Sequence, residues 1–210
     1  AAYRRQRPQL PRFFAGLGYI KRKTTLSTAA SERHIYFHPD GWFQVDVFFD
    51  KLMFNHDIPF KGRLELDFPT ITPTDLLLEK LQVVQFSERD LKDTWLLLRA
   101  HPLAPGEADA IDPDYIARLL GRDWGFWYTV ATNLRRCREL ALGSELLTEG
   151  DRADIAAKVD RLLRHLEAGP KSLAWKVRAR VGPRWRWYRP VETEATVIDY
   201  GIWRLKSEEE

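Results

Sequence analysis

The spacing of apolar residues changes once along the chain. Before Thr72 they fall in short runs that alternate with polar residues; beyond it they recur at helical intervals. In the first part, RHIYFH and FQVDVFF read as a pair of strands around the turn-forming PDG. RLELDFP reads as a third strand, with Leu64, Leu66 and Phe68 on one face and Arg63, Glu65 and Asp67 on the other. The loop before it carries Asn55, His56 and Asp57. Upstream, PQLPRFFAGLGYI predicts a short helix with Phe13, Phe14 and Leu17 on one face, ended by Gly16–Gly18. KRKTTLSTAASER is polar and irregular.

In the second part, TPTDLLLEKLQVVQF has Pro and Asp in its opening turn, which suits a helix start. SERDLKDTWLLLRAH begins with Ser87 as a candidate N-cap, and S-E-R-D has the form of a capping box with Asp in place of Glu. DPDYIARLLGRDWGFWYTVATNLRRCREL predicts one long helix, or a helix interrupted at Gly121 or Gly125. TEGDRADIAAKVDRLLRHLEA and LAWKVRARV predict two more, followed by a tail rich in Trp and Arg. The layout implies an α+β fold: a small mixed or antiparallel sheet with flanking helices, then a helical C-terminal part. Residues 1–101 and 112–210 are the expected domains, joined by a Pro-, Gly- and Ala-rich linker over 102–111.

Composition narrows the function classes. The single cysteine, Cys137, excludes an intrachain disulfide and a multi-cysteine zinc site, and fits a reducing, cytoplasmic compartment. No apolar run approaches the roughly 18 residues of a membrane span. The net charge is only +3 in 210 residues, but the cations cluster. Arg4, Arg5, Arg7, Arg12, Lys21, Arg22 and Lys23 crowd the start, and Lys171 to Arg189 the end. Such clusters are solvated faces or sites for an anionic partner. The chain opens AAYRRQ without Met, as a fragment would.

Two charged residues stand in apolar surroundings. Asp46 lies in the middle of FQVDVFFD, sharing a strand face with Gln44 and Phe48. Strand parity alone leaves it on a water-facing side. Lys80 shares a helical stripe with Leu76, Leu77, Leu81 and Val84, so it points inward and needs an anionic partner, either a carboxylate or a phosphate. Asp90 and Asp93 share one face of the next helix. His34 and His38 are spaced as on a helix but fall on a strand and turn, which argues against a metal pair. Cys137 reads as a small buried hydrophobe. PRWRWY could stack on bases or pack the helical part.

The run from HIYFHPDGWFQVDVFF through LLLEKLQ and ERDLKD resembles the nucleotidyltransferase-like family of the DNA polymerase β superfamily, close to bacterial AbiEii-related toxins. DWGFWYTVATNL and PKSLAWKVRARVG resemble it too. The resemblance implies transfer of a nucleoside monophosphate from an NTP to a protein or RNA hydroxyl, with Mg²⁺. It implies that Asp46 is the third metal-binding carboxylate, that Lys80 contacts nucleotide phosphates, and that Asp90 positions Lys80 with Asp93 beside it. An antitoxin is the implied partner. The family's first motif, a G-G or G-S turn followed by D-x-D, is absent from residues 1–45. Gly143–Ser144 with Asp151 and Asp154 does not replace it, because D-x-x-D on a helix cannot present alternate residues on a strand. This chain therefore lacks two of the three expected carboxylates and is expected to be inactive alone. The alternative is a non-catalytic module of the same fold that binds nucleic acid or protein.

Overall fold

The computed structural model describes residues 1–22, 33–40, 43–106 and 109–190. Much of the irregular segment KRKTTLSTAASER and the end of the chain lie outside them. The first sheet has the order β1 (Ile20–Lys21), β2 (Arg33–Phe37), β3 (Gln44–Phe48), all antiparallel. The strand pair around PDG forms as expected, with Ile35 opposite Asp46 and Tyr36 opposite Val45. Alternation divides the sheet into two working faces. Tyr36, Val47 and the following Phe49 bury against Phe14 of α1 (Leu10–Gly16), whose ring stacks on Tyr36 at 4.0 Å. Phe13 and Leu17 do not join them; both stay exposed, so α1 buries a narrower stripe than its sequence suggests.

The expected third strand does not form. Residues 61–70 are turns, and the pairing lies earlier, in a hairpin of β4 (Lys51–Met53) and β5 (Asp57–Pro59). Leu52, Ile58 and Phe60 from this hairpin enter the main core. The alternation in RLELDFP misleads because Arg63 is drawn inward by buried Asp75, while Leu66 and Phe68 point to solvent. Asn55 and His56 therefore sit in the tip of a hairpin rather than in a long loop.

Six further helices follow among the described residues: α2 (Pro73–Leu81), α3 (Glu88–Ala100), α4 (Pro113–Leu120), α5 (Trp124–Leu142), α6 (Glu149–Ala168) and α7 (Leu173–Val181). Their starts are set locally. Thr72, Ser87, Asp112, Asp123, Thr148 and Ser172 each accept a hydrogen bond from a backbone N–H of the first turn. The Ser87–Asp90 capping box is formed as expected. The segment after Asp112 is broken at Gly121, where a Cβ would lie 2.1 Å from the Pro170 carbonyl oxygen. Helix α2 stops at Leu81, short of the apolar run's end at Phe86.

One apolar core runs from Leu52 of the hairpin through Leu77, Leu81, Trp95 and Leu98 to Val130, Val159 and Leu166. Leu103, Ala110 and Ile111 of the 102–111 segment are buried as well. The arrangement is α+β, with two small antiparallel sheets and seven α-helices among the described residues. None of these helices is long and apolar enough to cross a membrane.

Candidate functional site

The second face of the first sheet opens onto a cleft of about 610 Å³. Its floor is Asp46 and Phe48 of β3, its wall is Glu79 and Lys80 of α2, and Asp90 enters from the start of α3. Elements separated in sequence thus bring Asp46, Lys80 and Asp90 to one cavity. Ala1 also lines it.

Asp46 is not a bare carboxylate. Arg33 donates from Nη2 to its Oδ2 at 2.7 Å, and Gln44 donates from Nε2 to its Oδ1 at 3.1 Å. The Arg33 guanidinium also lies 5.3 Å over the Phe48 ring, and its Nε is buried without a partner. Arg33 was not among the residues singled out from sequence. The β2–β3 register puts it diagonal to Asp46.

Lys80 does find a carboxylate, but of the other aspartate. Its Nζ lies 2.8 Å from Asp93 Oδ2, one helix away. Asp90 is committed to its own helix terminus: its Oδ2 accepts from Ser87 Oγ at 2.6 Å and from Ser87 N at 3.2 Å. Lys80 is therefore paired with Asp93 and not with Asp90, the partner that the resemblance implied. The capping-box pattern around Ser87 already gave Asp90 a competing local use.

Glu79 was also missed from sequence. It faces the cleft beside Lys80, and burial pushes its carboxyl up to about 7. No group of three His, Cys, Asp or Glu among the described residues is arranged to hold a metal. These residues alone offer Mg²⁺ too few free oxygens, since Asp46 is occupied by Arg33 and Gln44. His34 bonds Tyr36 Oη through Nδ1 at 3.1 Å on the opposite face of the sheet. Cys137 is fully buried, and burial pushes its thiol up to about 12, away from reactivity.

His56 is buried behind the hairpin. Its ring stacks on Phe126 at 4.9 Å, and Nε2 bonds Thr129 Oγ1 at 2.8 Å. Burial lowers its pKa from 6.5 to about 4. Between those values the unfolded chain binds a proton that the folded chain refuses. Stability should therefore fall as pH drops from about 6.5 towards about 4, by up to about 1.4 kcal/mol per pH unit for this ring. His34, lowered to about 4 by burial and then by Lys21 and Arg7, acts in the same direction. Urea unfolding across this range should show a shallower slope for His56→Gln than for the unmodified chain; an equal slope would assign the dependence elsewhere.

No protein-family model, curated protein or solved structure matches the chain.

Proposed function

We propose that the cleft is part of a nucleotidyltransferase site, in a protein that transfers a nucleoside monophosphate from an NTP to a protein or RNA hydroxyl. The supporting observation is the meeting of Asp46, Lys80 and Asp90 in one cavity that Ala1 also lines. Lys80, held at its distal end by Asp93, would meet the nucleotide phosphates; Asp46 would serve the metal side. Mg²⁺, if held there by Asp46 and further carboxylates, would supply positive charge to offset that of the phosphoryl group.

The register of the first residues supports this reading. Ala2 is paired in parallel with Phe49, donating to the Phe48 carbonyl at 2.9 Å and accepting from Asp50 N at 3.0 Å. Asp46 stands three residues before Phe49, so in the same register the residue three before Ala2 would lie level with Asp46. Ala2 packs with Phe49 on the α1 side, while Ala1 faces the cleft. Alternation would then turn that residue, and the one two places earlier, towards the cleft. A D-x-D ending there would supply what the described residues lack.

In a chain bearing acids at those two positions, Asp46→Asn should abolish Mg²⁺-dependent labelling by radiolabelled NTP. The melting temperature should hardly move, because the half-exposed Arg33 pair contributes about 0–1 kcal/mol. Undiminished labelling refutes the role of Asp46. A native sequence with no D-x-D leading into Ala1 refutes the enzyme. That result would favour the binding module, for which the occupied state of Asp46 is the supporting observation. An antitoxin partner belongs to the same proposal and would be sought by co-purification with the product of the adjacent gene.

A further inference from the structure

The stretch from Lys171 to Arg189 holds seven cations and no acid. Three of them build the fold. Lys171 donates to the Gly169 carbonyl at 2.6 Å, Arg178 to the carbonyls of Gly182 and Trp185 at 2.6 and 2.8 Å, and Arg189 to Asp57 at 2.9 Å. The other four, Lys176, Arg180, Arg184 and Arg186, are exposed and make no hydrogen bond or ion pair among the described residues. Lys176 and Arg180 are one turn apart on the outer face of α7; Arg184 and Arg186 bracket Trp185.

Trp185 is the unusual member. The residue is 72% exposed although the chain at and just after it is held. Arg178 holds its carbonyl, and two residues on, Trp187 donates from Nε1 to Thr129 Oγ1 at 3.0 Å. The chain therefore holds a large aromatic ring in water between two exposed arginines, with two further exposed cations on the adjoining helix. An indole kept out of the core does nothing for stability.

We propose that α7 and the Arg184–Arg186 segment form a binding surface for single-stranded nucleic acid. Such a strand alternates base faces with phosphates, and guanidinium–indole–guanidinium alternates in the same way. A membrane surface fits less well, since α7 exposes only two large apolar residues, Leu173 and Val177, beside its exposed cations. The assignment stands apart from the reading of the cleft, and its test involves none of the cleft residues.

The test is fluorescence anisotropy with a 5′-labelled oligouridylate of about 12 nucleotides at salt concentrations from about 50 to about 200 mM. Trp185→Ala should weaken binding about tenfold through lost stacking and leave the salt dependence unchanged. Lys176→Gln with Arg180→Gln should weaken binding and lower the log–log salt slope by about 1.4, the share of two phosphate contacts. All three side chains are exposed, so the melting temperature serves as a control for folding. Absence of binding at the lowest salt overturns the proposal. So does an unchanged Kd for Trp185→Ala, or capture by anionic vesicles but not by the oligonucleotide.

Discussion

Arg63→Met should cost about 3–5 kcal/mol of stability, far more than the loss of a surface ion pair. Asp75, in the first turn of α2, is fully buried. Arg63 Nε donates to both of its oxygens, at 2.7 and 2.9 Å, and Arg63 Nη2 donates to Thr72 Oγ1 at 3.0 Å. The Thr72 hydroxyl in turn donates to Asp75 at 2.7 Å. The guanidinium also lies 3.7 Å above the Tyr115 ring, which ties α4 to the same cluster. Removing Arg63 leaves a carboxylate in the core with one hydroxyl for company. Methionine fills part of the space but offers no donor. Asp75→Asn in the Arg63→Met background should recover part of the loss, because the stranded charge goes with it. Urea unfolding of the two single variants and the double variant gives the coupling. A loss under about 1 kcal/mol for Arg63→Met would mean that the pair is hydrated like a surface one.

Gly125→Ala gives a test in which two effects oppose each other. Within a helix, alanine is favoured over glycine by about 1 kcal/mol, so propensity alone predicts stabilisation. A Cβ at Gly125 would, however, stand 2.3 Å from the Trp187 carbonyl oxygen and 3.3 Å from Asp123 Oδ1. The first contact is with backbone, which cannot swing aside. The steric cost of about 1–3 kcal/mol should win, and the variant should be destabilised. Intrinsic fluorescence should change with it, since Trp187 packs edge-on against Tyr128 at 5.0 Å. A stabilised variant would show that the Trp187 segment does not lie against α5.

What could be read from the sequence was local. The helix start marked by Pro73 and Asp75, the cap at Ser87 and the break at Gly121, one of two candidate positions, depend on residues a few places apart, and each is found in the structure. The antiparallel pairing of β2 with β3 is likewise found where the alternation and the turn signal put it. The failures are tertiary. Nothing near Arg63 announces that its partner is a buried aspartate twelve residues on, so its alternating segment imitates a strand. Lys80 could be read as needing an anion, but choosing Asp93 over Asp90 requires knowing that Ser87 has already engaged Asp90. Arg33 was invisible because strand parity considers one strand, whereas its bond to Asp46 crosses two.

The end of the described chain has a consequence for the order of assembly. Arg189 bonds the hairpin tip through the Asn55 carbonyl, across a separation of 134 residues from Asn55, and Trp187 reaches the hydroxyl that also serves His56. During synthesis the hairpin is therefore made early and fastened late. Until residues 187–189 leave the ribosome, its tip relies on the hydrogen bonds with Gln82, Val84 and Thr129 and on the stacking of His56 against Phe126. Closure of so long a loop comes at the end of folding, when most of the helical core can already exist.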